Sequence, residues 1–129
     1  MQVLQPAGWA KPLGYSNGVK TGNTLYVAGM IGWNAECKFE TDDFVEQFRQ
    51  TLINTVAVLK EGGAEPKHIV RMTCFITDKK EYISRQKEIG QAYREVLGKV
   101  FPPMAMLQVV ALMEDRAKIE IETTAVIDG

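Results

Sequence analysis

Ala117–Val126 reads AKIEIETTAV, and its alternation decides the fold class. Ile119, Ile121, Thr123 and Ala125 fall on one side of an extended chain; Lys118, Glu120, Glu122 and Thr124 fall on the other. Strand side chains point to opposite faces with period two, so the pattern predicts a strand with one packed face and one charged face. Working back from it, Met113–Arg116 reads as a turn and Met104–Leu112 as a preceding strand. His68–Thr77 shows the same alternation, with Val70, Met72, Cys74 and Ile76 set against Arg71, Thr73, Phe75 and Thr77. Thr24–Ile31, TLYVAGMI, is apolar on both sides, which predicts a central strand covered on both faces. A short strand at Asn17–Lys20 feeds it through Gly22-Asn23, a pair that tolerates the positive φ of a tight hairpin turn.

Two helices separate these strands. Asp42–Glu61 places Phe44, Phe48, Leu52, Val56 and Leu59 on one apolar face, with Thr41, Asp42 and Asp43 supplying capping oxygens and Gly62-Gly63 the stop. Lys80–Leu97 gathers Tyr82, Gln86, Ile89, Tyr93 and Val96 on one face and ends at Gly98. Gly90 inside it costs roughly 1 kcal/mol relative to alanine, which suggests close packing against the sheet. Residues 1–14, with Pro6, Gly8, Pro12 and Gly14, read as an extended arm. The order is strand, strand, helix, strand, helix, strand, strand: an α+β domain with a mixed sheet. Two helices cover only one face of such a sheet. Tyr26, Ala28, Met30 and the methionines after Pro103 are expected on the other face, which favours a homo-oligomer over an exposed surface.

The chain has 129 residues, suited to a single domain spanning 1–129. Its net charge of −1 gives no bulk attraction to nucleic acid or anionic membrane. The stretch Met1–Leu13 lacks the apolar run of a signal peptide, and no run approaches the roughly 18 apolar residues of a membrane span. A cytoplasmic location is therefore expected. Cys37 and Cys74 are too few for a disulfide framework, and Cys74 sits in an apolar stretch where an inert buried thiol is expected. His68 is the single histidine, which argues against a metal site or a Ser-His-Asp arrangement. The glycines are not spaced as a dinucleotide or phosphate loop.

Four stretches together carry a resemblance: GYSNGVKTGNTLYVAGMI (Gly14–Ile31), HIVRMTCFITD (His68–Asp78), FPPMAMLQVVAL (Phe101–Leu112) and AKIEIETTAV. Their order and spacing resemble the Rid family, the reactive intermediate deaminases also called YjgF. The resemblance runs from about Gly14 to Val126. It implies a chorismate-mutase-like homotrimer with a small-molecule cleft between each pair of subunits and no metal or organic cofactor. It also implies hydrolysis of enamines or imines to a carbonyl compound and ammonia. In that pattern an arginine clamps the substrate carboxylate, which a planar bidentate fork does well.

The residues carry over unevenly. Tyr15 matches the family tyrosine, Gly29 the glycine of a Ser-Gly pair, and Glu120 the water-placing glutamate. Ala28 replaces the serine, Met104 the arginine, and Met106 the cysteine of many members; Gln86 stands where some have asparagine. Trp9 and Trp33 are expected near the cleft mouth, either stacking on a flat substrate or serving structure alone. Glu120 reads equally as a solvated residue of an amphipathic strand, Tyr15 as a subunit-edge residue, and the methionines as core or interface. The loss of the arginine points to a substrate that is larger, less charged at that point, or held by its carboxylate elsewhere. A deaminase with altered substrate choice and a non-catalytic ligand-binding or partner-binding trimer both fit. An RNA-directed role fits poorly, because basic and aromatic residues are not interleaved.

Overall fold

A computed structural model describes residues 1–128. The strands are β1 (Gln2–Leu4), β2 (Gly18–Thr21), β3 (Thr24–Ile31), β4 (Ile69–Ile76), β5 (Met104–Gln108) and β6 (Ile119–Val126). The helices are α1 (Phe44–Glu61), α2 (Lys79–Ser84) and α3 (Gln86–Leu97). The sheet order is β1-β2-β3-β6-β4-β5. Every pairing is antiparallel except β4 with β5, which are joined through α2 and α3 as a parallel crossover requires. β3 and β4 both run antiparallel to β6, so the C-terminal strand enters between two parallel neighbours.

The predicted alternation of β6 holds: Ile119, Ile121, Thr123 and Ala125 are buried under the helices. They meet Leu25 and Val27 of β3, Met72, Cys74 and Ile76 of β4, and Phe44, Phe48, Leu52 and Leu59 of α1 in one core. Burying each such large apolar side chain stabilises by about 1.5–3 kcal/mol. The α1 helix packs across β3 and β6, and α3 packs beside α1. Asp43 caps α1, its carboxylate accepting from the Glu46 amide at 3.0 Å. At the β2–β3 turn Gly22 takes φ +57° and Asn23 stays at negative φ. Glycine first in the turn is what a type II′ hairpin needs.

Several expectations are corrected. The arm contains an edge strand: Gln2–Leu4 pairs with β2, and Leu4 is 1% exposed in the core. Three residues are too few to show a period, and only the neighbouring strand defines them. β5 stops at Gln108, four residues before the expected Leu112, because its partner β4 ends at Ile76 and leaves nothing to pair with. The second helix breaks at Arg85, whose guanidinium donates to Asp43 at 2.5 Å and to Glu88 at 2.7 Å. Gly90 does not sit tight on the sheet: a Cβ there meets only the Arg94 guanidinium, at 3.4 Å.

Met30 belongs to the core, at 5% exposure, because a β-bulge shifts the alternation of β3 before it. Met104 and Met106 do not occupy the open face either. They pair with Met72 and Cys74, and paired residues share a side, so both lie on the helix side of the edge strand. The open face carries Tyr26, half exposed, with Arg71, Thr73, Phe75 and Glu122. β3 is thus covered on one face within the chain, not both.

Candidate functional site

The bulge in β3 builds the site. The ladder pairs Val27 with Thr123 and Met30 with Ile121, so Ala28 and Gly29 face β6 without partners in register. The Ala28 amide turns instead to the Asn17 carbonyl, at 2.8 Å. Bulges of this kind re-aim side chains near functional sites. Here the effect falls on Glu120, which pairs with Ile31 one step further along β6. A Cβ at position 29 would lie 2.4 Å from Glu120 Oε2. Only glycine lets the carboxylate rest against the backbone at this point.

A cleft of about 540 Å³ opens over this floor. Its walls are the arm through Tyr15 and the loop that follows β3, with Trp9 on the first and Trp33 on the second. Each wall is pinned. Asn54, 5% exposed on α1, donates to the Ile31 and Trp33 carbonyls at 2.9 and 2.8 Å. Asn34 Oδ1 accepts from the amides of Glu36 and Lys38 and closes the loop into a tight turn. Gln5 donates to the carbonyls of Trp9 and Ala10, Asn17 donates to Gln5, and the Ala10 amide bonds the Ala35 carbonyl at 3.2 Å, joining arm to loop.

Glu120 makes no hydrogen bond or ion pair among the described residues. Burial, and secondarily the charge of Glu122, raise its pKa above the ordinary value of 4.5. A half-buried carboxylate with free lone pairs and a raised pKa can accept a proton from a placed water and pass it on. Tyr15, 57% exposed, offers the cleft a phenol. Tyr15, Ala28, Gly29, Trp33 and Glu120 therefore gather around one cavity. Met104, Met106 and Gln86 do not: β4 stands between β6 and β5, and Gln86 opens α3 outside the cleft.

Lys11, Asn54 and Glu114 are among the cleft residues not expected from the sequence. Lys11 lies in the Pro- and Gly-rich arm, Asn54 in a buried helix stripe and Glu114 in the turn before β6; none carries a local pattern that marks it. Cys37 also lines the cleft, as an exposed free thiol at φ +62°. Burial pushes the Cys74 thiol up to about 12, so it is inert as expected. His68 Nδ1 accepts from the Glu65 amide and serves a turn. Arg116 is held by Asp42 and the Phe39 carbonyl within its own chain.

A family model described as endoribonuclease L-PSP matches residues 9–127. The chain belongs to this family, the Rid or YjgF proteins. Among its Rid relatives, a RutC family protein of Aquifex aeolicus is 34% identical, covering 89% of this chain and 90% of its own. A 2-iminobutanoate/2-iminopropanoate deaminase of Dermatophagoides farinae is 29% identical, covering 92% and 90%. The crystal structure of E. coli TdcF with bound serine superposes with a TM-score of 0.86 at 26% identity, covering 99% of this chain and 100% of that one. The Rid fold expected from the sequence is thus the fold observed.

Proposed function

We propose that this protein is a cofactor-independent imine or enamine deaminase, working as a cytoplasmic homotrimer on substrates other than the smallest imino acids. One observation carries the reading: Glu120 presents an unpaired, half-buried carboxylate to the cleft, seated on Gly29 and sharing that cavity with Tyr15. Water adds to the imine carbon while ionised Glu120 takes its proton. Glu120 returns that proton to the nitrogen, the hydroxyl proton of the resulting carbinolamine follows it there through the same carboxylate, and as the C–N bond breaks ammonia leaves and the carbonyl forms. An enamine enters the same sequence after protonation at carbon. The raised pKa of Glu120 moves it toward the working range of a base at neutral pH. The name of the Dermatophagoides relative supports the reaction class, and serine in TdcF supports a small ligand in this fold.

Met104 stands where the Rid resemblance expects the clamping arginine, and a thioether donates no hydrogen bond. Small 2-imino acids are therefore expected to bind weakly. We place Met104, Met106 and Gln86 across a subunit boundary, where a neighbouring copy completes the cleft. RNA is not proposed as substrate despite the family model's description. The net charge is −1, and Lys11 is the one lysine or arginine lining the cleft among the described residues.

The test is imine decay. Imines made in place by an amino-acid oxidase, with semicarbazide trapping what remains, give the rate for each substrate. Bulky or carboxylate-masked imines are expected to disappear faster than 2-iminopropanoate, and Glu120→Ala to abolish the acceleration. Full activity in that variant removes Glu120 from the mechanism. A second reading, a non-catalytic binding trimer, is favoured by the joint loss of the arginine at 104, the serine at 28 and the cysteine at 106. Ligand binding without acceleration anywhere in the panel would select it.

A further inference from the structure

We infer that Lys11 is the anion-recognition residue of the cleft, and that the substrate carries a carboxylate remote from its imine carbon. The inference rests on the deaminase reading for the reaction and deepens it by naming the substrate class. Lys11 lines the cleft, is exposed, and makes no ion pair among the described residues, not even with Glu114 or Glu120 of the same cavity. Its backbone is not free to wander. The preceding residue, Ala10, is tied to Ala35 across the cleft and to Gln5 along the arm, and Gln5 is tied in turn to the buried Asn17. The arm thus anchors the Lys11 backbone on the wall and leaves its ammonium uncommitted, while the reacting carbon belongs on the floor with Gly29 and Glu120.

An ammonium and a carboxylate that face one cavity without meeting leave space for a ligand to join them. The volume of about 540 Å³ holds about 18 waters at their liquid share, far more than a small imino acid fills. The intervening surface is apolar and aromatic, with Trp9, Tyr15 and Trp33. A flat or apolar spacer between the imine and the distal carboxylate fits these walls. With methionine at 104, an anionic substrate is recognised at its far end by a lysine of the arm. A lysine acts as a flexible point charge, so it tolerates several spacer lengths.

Stable 2-oxo acids, the products on this reading, serve as probes. Affinities of the full-length protein for 2-oxoglutarate, its distal methyl ester and 2-oxobutanoate are measured by calorimetry or NMR titration. The wild type is expected to prefer 2-oxoglutarate by about fivefold over the other two, the scale of an exposed ion pair, and to lose that preference in high salt. Lys11→Met removes the preference and Lys11→Arg keeps it. Equal affinities in the wild type, no binding of any probe, or a preference that survives Lys11→Met each overturn the assignment. Turnover of uncharged imines that Glu120→Gln abolishes, without any Lys11-dependent preference, leaves the deaminase standing and sinks only Lys11. A Lys11-dependent preference without turnover of any imine does the reverse.

Discussion

Gly29 and Glu120 act as one unit, and two expectations belong to that pair. In Gly29→Ala the new methyl would stand 2.4 Å from Glu120 Oε2, so the carboxylate must move while the bulge stays. Misplacing a reacting group by about 1 Å costs roughly 100-fold, so kcat for imine hydrolysis should fall on that scale while circular dichroism stays unchanged. Glu120 also burdens the fold. Its folded pKa is raised above 4.5, so the folded chain holds more protons than the unfolded chain as pH rises through that window, and stability declines there. Glu120→Gln should therefore raise the melting temperature at pH 7, with the gap closing below about pH 4. A gap independent of pH would mean that the carboxylate's charge is not the cause. The residue-level signal for Glu120 was legible in the IEIE alternation, which fixed its face. Its contact with Gly29 was not, since the two are far apart in sequence.

At the scale of elements, α1 and α3 hold the expectations. Asp43 caps α1 and its pKa is lowered, chiefly by the hydrogen bond from Arg85. That contribution is present above the ordinary value of 3.8 and lost as pH falls through the lower folded value. Asp43→Ala should cost about 1 kcal/mol at pH 7, the usual worth of an N-cap, and less in strong acid. Urea unfolding at the two pH values measures both. Gly90 lies in α3 with room for a methyl beside Arg94. Gly90→Ala should stabilise by up to about 1 kcal/mol, or about 4 °C in melting temperature. A destabilised variant would mean that the glycine serves a contact outside the single chain. The apolar periods of α1 and α3 were legible because they repeat over several turns. The break at Arg85 was not, because the pattern on either side of it continues.

For the whole molecule, the open sheet face decides the assembly. Tyr26, Arg71, Phe75 and Glu122 lie there with no helix over them. Sedimentation equilibrium should give a species of three times the 14.4 kDa chain. Thr124→Arg, in the middle of that face, should dissociate it. A stable monomer in the wild type would remove both the trimer and the intersubunit position proposed for Met104, Met106 and Gln86. Catalysis in such a monomer would leave Glu120, Tyr15 and Lys11 as a site complete within one chain.

The sequence by itself determined the class of the fold, the order of its main elements and the helix-facing side of β6 and, from Met72 onward, of β4; before Met72 a register shift buries Ile69 and leaves Val70 exposed. Periods of two and of three to four residues record which way side chains point, and that is a local property of the backbone. The tertiary structure alone decided the insertion of β6 between β3 and β4, the bulge that sends Met30 into the core, and the pairing of Gln2–Leu4. It also decided that Lys11 faces the same cavity as Glu120. Each depends on hydrogen bonds between segments distant along the chain. No run of neighbouring residues carries a trace of its partner's register.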